Sequence, residues 1–219
     1  IHTAKKTVVD DQDWSRVHLK YFNPIQCAEK LWVVPSWHKA PDPSAVNIQL
    51  DPGLAFGTGG HATTALCLSW LGQHDIQKKS VIDYGCGSGI LAIAAYKLGA
   101  DELHSVDIDP QALDASRENA RRNDIDPTLL NISLPEDFNS EPVDLLIANI
   151  LSGPLVEFAP KFAELVKPGG QILLSGILET QANDIKQAYL PYFELDPICV
   201  KEDWIRVSGT RRPSTGRHV

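Results

Sequence analysis

The chain has 219 residues, 43% of them hydrophobic and 22% charged, which is enough to bury one large core and build an enzyme-sized domain with an appendage. A formal charge of −8 argues against a nucleic-acid-binding face and leaves room for a basic protein substrate, because unlike charge speeds encounter. No apolar run approaches the ~20 residues of a membrane helix; the four cysteines are widely spaced with no C-x-x-C, the seven histidines lack metal-ligand spacing, and a metal-free protein of the reduced cytoplasm is expected.

Residues 1–40 differ from the rest. Asp10-Asp-Gln-Asp-Trp14 is acidic, and Trp14, Tyr21, Phe22, Trp32 and Trp37 crowd aromatic rings into a short span, as in a packed connector. Asp13 is placed to cap a helix over 14–21; Asn23-Pro24 breaks it, and residues 30–34 read as a strand stopped by Pro35. A surface hairpin of the main domain is the equal alternative. Ala40-Pro-Asp-Pro43 makes a turn, and 46–50 alternates like a half-buried strand closed by Asp51-Pro-Gly53.

A glycine-rich stretch, Ala55-Phe-Gly-Thr-Gly-Gly-His-Ala-Thr-Thr64, then leads into a helix over 65–71 with Gly72 at its end. Thr63 and Thr64 either cap that helix or present hydroxyls to a ligand. Phe56 beside Gly57 and Thr58 puts an aromatic face next to open backbone, which suits a stacked or cationic ligand better than a linker. His61 is either a loop histidine or a site residue.

The strongest signal is Ser80-Val-Ile-Asp-Tyr-Gly-Cys-Gly-Ser-Gly89, a buried strand turning through three glycines into a helix over 90–98 that Gly99 ends. A second strand over 102–106 closes on Asp107, with Ile108 beyond it. In such a βαβ unit Gly85 and Gly87 let a ligand approach the backbone, and the acid at the second strand's tip accepts from ribose hydroxyls. The dinucleotide fingerprint wants a glycine at position 90, where this chain has Ile90. Asp83, directly before the loop, repels a pyrophosphate but suits an ammonium or sulfonium. The ligand expected is therefore S-adenosylmethionine rather than a nicotinamide dinucleotide.

Further along, Pro110 opens a helix over 111–122, a strand follows near 129–133, and the apolar strand 143–149 delivers Asn149 to the same edge as Asp83 and Asp107. There Asn149 either closes the following turn or offers its carboxamide oxygen to an incoming amine. A helix over 154–166, a turn at 167–170, a strand over 171–175 and a helix over 180–189 come next. Residues 193–200 and 204–208 read as a terminal hairpin, so the last strand runs antiparallel in an otherwise parallel sheet.

These motifs resemble the class I S-adenosylmethionine-dependent methyltransferases and, within them, the ribosomal protein L11 methyltransferases. The resemblance rests on Leu31-Trp-Val-Val-Pro-Ser-Trp37, on Leu50-Asp-Pro-Gly-Leu-Ala-Phe-Gly-Thr-Gly59 with His61, Thr63 and Thr64, on the Val81–Gly89 loop and its helix, on Val106-Asp-Ile-Asp-Pro110, and on Ala148-Asn-Ile-Leu151 with Pro154 and Leu155. Gly60 and Ala62 depart from the threonine and proline more usual there. The resemblance implies an α/β fold, a doubly wound seven-stranded Rossmann-like sheet with the last strand reversed. It also implies cofactor contacts from Thr64, Gly85, Asp107 and Asn149, and methylation of lysine or N-terminal amines on ribosomal protein L11 by a cytoplasmic monomer. A methyltransferase domain over 41–210, a connector over 1–40 and a tail over 211–219 are expected. The chain contains no methionine and so does not begin at its own initiator, and a recognition domain before Ile1 is expected with it.

Methyl transfer needs an uncharged nitrogen held in line with the sulfonium, and much of the acceleration comes from positioning. No side chain declares itself as a general base, so Asn149 and backbone carbonyls are expected to orient the acceptor. Two rivals remain. The Asn149-Ile-Leu end is similar to the Asn-Pro-Pro-Tyr ends that act on glutamine or adenine nitrogens, without the prolines and the aromatic ring. A nicotinamide-dependent oxidoreductase would need the loop this chain lacks.

Overall fold

The computed structural model describes residues 22–51 and 60–213. The expected helix over 14–21 and the Phe56-Gly57-Thr58 stretch lie outside the described residues. A small sheet comes first: β1 (Ile25–Ala28) and β2 (Leu31–Val34) form an antiparallel hairpin, and β3 (Val46–Gln49) runs parallel to β2. Among the described residues of the 1–40 segment, 25–34 form this hairpin. Leu31, Val33, Ile48 and Leu50 bury their side chains in the main core, against Leu68 and Leu71 of α1 (Ala62–Leu71) and Ala92 and Ile93 of α2 (Ile90–Lys97). Gln49 on β3 is taken up by Asn123, whose carboxamide accepts from its N–H at 2.8 Å and donates to its carbonyl at 2.8 Å. A side chain thus replaces a neighbouring strand.

The main sheet contains β4 (Ser80–Tyr84), β5 (Glu102–Val106), β6 (Ile132–Ser133), β7 (Val143–Asn149), β8 (Val166–Leu178), β9 (Phe193–Leu195), β10 (Cys199–Lys201) and β11 (Trp204–Arg211). Its order is β10-β11-β8-β7-β4-β5-β6, with β9 also paired to β11. Strands β4 to β8 pair parallel, and β11 runs antiparallel to β8, as expected. Alternate residues of β4 enter two different cores: Val81 packs with α1 and α2, and Ile82 packs with Leu155 and Phe162 of α4 (Ser152–Leu165) and Ile185 and Tyr189 of α5 (Ala182–Tyr189). Helices cover both faces, which is why the central strands read as unbroken apolar runs.

Three expectations are corrected. Residues 127–130 form a 3₁₀ turn, not the start of a strand, because Asp126 accepts from the Thr128 N–H at 3.0 Å and Pro127 sets the turn; only Ile132–Ser133 pairs with β5. The terminal hairpin is two short strands, β9 and β10, on β11. Between them Pro197 has no N–H to give the ladder, and Ser208 donates its hydroxyl to Asp196 at 2.7 Å. The turn at 167–170 is a bulge within β8: four residues face Asp144 alone, and Gly169 takes φ +80°.

Because β5 lies on one side of β4 and β7 on the other, the direction of winding reverses at β4. Ligands in open α/β sheets bind beyond the carboxyl ends at such a reversal. Here that point lies between the ends of β4 and β7, beside Gly85 and Asn149. Among the described residues no helix is long and apolar enough to cross a membrane.

Candidate active site

A cleft of about 550 Å³ opens at this reversal point. Its walls come from the end of β4 (Tyr84, Gly85, Gly87), the end of β5 (Val106, Asp107, Ile108), the end of β7 (Asn149, Ile150, Leu151) and α4 (Pro154, Phe158). His61 and Thr63 at the start of α1, Gly176 of β8 and Trp204 of β11 complete it. A larger open depression of about 740 Å³ lies by His104, Arg117 and Asp137, but it includes none of the glycine-loop residues and mixes two arginines with two aspartates. The smaller cleft has the chemistry of a site.

The loop after β4 is tied down on both sides. Gly85, Gly87 and Gly89 adopt φ of +81°, +55° and +76°. The amides of Gly85 and Cys86 donate to the Val106 carbonyl at 2.7 and 3.0 Å, and the Gly87 amide donates to Asp107 at 2.8 Å. From behind, Ser116 donates to the Gly87 carbonyl and Asn119 to the Ser88 carbonyl, both at 2.9 Å; both lie on α3 (Pro110–Arg122). The other Asp107 oxygen accepts from the Asp109 N–H at 3.0 Å. A carboxylate oxygen keeps a second lone pair, so Asp107 still presents acceptor capacity to the cleft.

Asp83 is set back from this wall. It is 1% exposed, one oxygen accepts from the Ala92 N–H at 3.1 Å, and the other has no partner. Burial pushes its carboxyl up to about 7, against the pull of the Ala92 amide and with a further push from Asp107. Its sequence position next to the glycine loop suggested a ligand contact. The strand's alternation turns the side chain into the α2 side of the core instead.

The two threonines divide their work. His61 caps α1 by accepting from the Thr63 N–H at 3.4 Å, and its Nδ1 lies 2.8 Å from the Thr63 hydroxyl. Thr64, fully buried, accepts from Asn149 Nδ2 at 3.4 Å. The Asn149 carboxamide oxygen is buried with no partner. Ile108 and Leu151, 81% and 72% exposed, stand at the mouth as two free apolar side chains.

The path of Asn149-Ile-Leu151 is held by two glycines that sequence reasoning did not combine. A Cβ on Gly85 would lie 2.1 Å from Ile150 Cγ2, and one on Gly176, at φ +84°, would lie 2.2 Å from the Ile150 carbonyl oxygen. Only residues without a side chain let the backbone cross there. The ring wall was also missed. Tyr84 packs edge-on against Phe158 and Phe162 at 5.7 and 5.0 Å, and Lys161 donates to its hydroxyl at 3.2 Å. Across the cleft Trp204 meets His61 at 5.0 Å.

Comparison with known proteins agrees with this geometry. The family description "Ribosomal protein L11 methyltransferase (PrmA)" matches residues 2–212. The ribosomal protein L11 methyltransferase of Marinobacter nauticus is 55% identical over 206 residues, 94% of this chain and 69% of that protein. That of Pseudomonas fluorescens is 56% identical over 205 residues, 94% of this chain and 70% of that protein. The crystal structure of the ribosomal protein L11 methylase from Lactobacillus delbrueckii subsp. bulgaricus superposes with a TM-score of 0.78 at 34% identity, covering 88% of this chain and all of that one. With a doubly wound sheet, a glycine loop at its reversal point and matches of this length, the chain belongs to the ribosomal protein L11 methyltransferase family.

Proposed function

We propose that this methyltransferase takes its methyl group from S-adenosylmethionine and delivers it to amino nitrogens, lysine side-chain or N-terminal, of ribosomal protein L11 in the cytoplasm. The residues present fit that cofactor. The cleft has room for it, Asp107 offers a charged acceptor to ribose hydroxyls, Gly85 and Gly87 offer close backbone, and Ile108 offers an apolar edge to the adenine ring. When bound, S-adenosylmethionine supplies a methyl group on a cationic sulfur.

The chain's own part is to prepare the acceptor. A lysine amine is protonated in water, with a pKa of about 10.4, and must lose that proton before it attacks. The apolar ring wall of Tyr84, Phe158 and Trp204 disfavours the ammonium form by excluding water. The Asn149 oxygen can then accept an N–H of the neutral amine and direct the nitrogen lone pair toward the methyl group.

The observation that carries the reading is the buried, unpartnered oxygen of Asn149 in the wall of the cleft. A buried acceptor without a partner is costly unless a ligand supplies the donor. The test is transfer of tritiated methyl from the cofactor to ribosomal protein L11, release-factor peptides and adenine-containing DNA. Incorporation into L11 is expected, with Asn149→Ala lowering the single-turnover rate more than it lowers cofactor affinity. Transfer to the peptides or DNA alone would overturn the assigned acceptor, and an unchanged rate in Asn149→Ala would make Asn149 structural.

A further inference from the structure

We propose that Asn119 and Asn123 are positioning residues for the cofactor, joined in one hydrogen-bonded path that ties the glycine loop after β4 to the small sheet; this rests on the reading that the loop holds S-adenosylmethionine. The path begins at β3. The Asn123 carboxamide accepts from the Gln49 N–H and donates to the Gln49 carbonyl, both at 2.8 Å, and its second N–H donates to the Asn119 carbonyl at 2.9 Å. One turn back along α3, the Asn119 side chain donates to the Ser88 carbonyl at 2.9 Å. Both asparagines are buried, at 9% and 4% exposed, so each of these bonds is costly to leave unmade.

The path reaches a segment that needs holding. Gly85, Gly87 and Gly89 all take positive φ, and such a stretch samples many conformations when nothing confines it. A ligand that reads the loop backbone binds more weakly when only a fraction of the free protein has the loop in its bound form. There is little slack between loop and helix: a Cβ on Gly89 would lie 2.9 Å from Ser116 Oγ and 3.2 Å from Ser116 Cα, and Ser116 itself donates to the Gly87 carbonyl. The position of α3 is therefore passed to the loop, and Asn123 sets that position against β3. A second tie, from Arg122 to Asp51 at 3.2 Å, is more exposed and weaker.

For Asn119→Ala, S-adenosylmethionine affinity measured by calorimetry should fall about three- to ten-fold, the range for one neutral hydrogen bond. Asn123→Ala, one step further away, should lower it about three-fold, the low end of that range. The double variant should lose no more than Asn119→Ala alone, because both act along one path. The KM for ribosomal protein L11 should not move. Ile48→Val removes a methyl group from the same strand and leaves the Asn123 bonds in place; it should lower the melting temperature and keep cofactor affinity within about two-fold. In the wild type, the Gln49 backbone amide and the Asn123 side-chain amide signals should shift in NMR spectra on adding S-adenosylmethionine, and Asn119→Ala should abolish these shifts.

Unchanged affinity in Asn123→Ala, an equal loss in Ile48→Val, additive losses in the double variant, or unmoved Gln49 and Asn123 signals would each overturn the proposal. If the alanine variants do not fold, the wild-type titration decides. If the wild type binds no S-adenosylmethionine, the functional reading fails. Amide exchange at Gly87 and Gly89 then decides the path: faster exchange in Asn123→Ala than in Ile48→Val supports it, and equal exchange refutes it.

Discussion

Asp83→Asn should change how stability depends on pH. Asp83 is 1% exposed, with one oxygen unpartnered, and burial pushes it up to about 7 from an ordinary 3.8. The groups facing it are Asp107, whose charge pushes it further up, and the thiols of Cys67 and Cys86, which burial keeps protonated. Between pH 4 and 7 the folded protein therefore holds a proton that the unfolded chain has released. The stability this proton confers is complete below the unfolded value and is lost as pH rises through the folded one. At about 1.36 kcal/mol per unit, the displacement amounts to at most about 4 kcal/mol, with a steepest slope of about 1.4 kcal/mol per pH unit. Asparagine keeps an oxygen for the Ala92 N–H and has no proton to lose. Urea unfolding of both proteins at pH 4.5, 5.5, 6.5 and 7.5 should show the variant gaining on the wild type as pH rises, with the gain levelling near pH 8. Parallel stability curves would refute the reasoning, because every other titrating group is common to both proteins.

Two further outcomes follow from the cleft. Gly176→Ala places a methyl group 2.2 Å from the Ile150 carbonyl oxygen at a φ of +84°, so the melting temperature should fall clearly and methyl transfer with it; a variant as stable and active as wild type would mean that β7 is free to shift. Asp107→Ala removes the acceptor of the Gly87 and Asp109 amides together with the charged partner proposed for the ribose, so calorimetry should show S-adenosylmethionine affinity reduced about ten-fold or more, and unchanged affinity would remove Asp107 from the site.

The parts of the fold that the sequence declared are those whose physics is local. The strand from Ser80, the three glycines and the helix from Ile90 form one contiguous signal, because positive φ, close backbone approach and a helix start must follow each other in the chain. Asp107 and Asn149 were also legible, since both end buried strands and a parallel sheet brings all its strand ends to one edge. The side chains that hold the loop were not. Ser116 and Asn119 look like ordinary polar residues of an amphipathic helix, and only the packing of α3 brings them under Gly87 and Ser88. Asp83 misled for the same reason: its place before the loop suggested a ligand contact, while the direction it faces depends on strand alternation.

Trp204 is the instructive omission, because its place follows from a topology the sequence already implied. In a parallel sheet each strand contributes only its last residues to the ligand-binding edge. A reversed strand contributes its first. Since β11 runs antiparallel to β8, with Trp204 opposite Leu178 at the far end of β8, its opening residue comes to the cleft edge, where it packs against His61. The turn that precedes it, Lys201-Glu-Asp203, would have sufficed to place an aromatic ring there once the last strand was read as reversed. The same register argument places Gly176: Ser175 pairs with Asn149, so the next residue of β8 must pass the Ile150 backbone, where a Cβ would not fit. Gly176 and Trp204 thus bring the β8 and β11 strands, far in sequence from the glycine loop, into the wall of the cleft that also holds Asn149. A change in acceptor preference should therefore arise from substitutions at Trp204 or around Gly176 while the loop from Gly85 to Gly89 stays as it is.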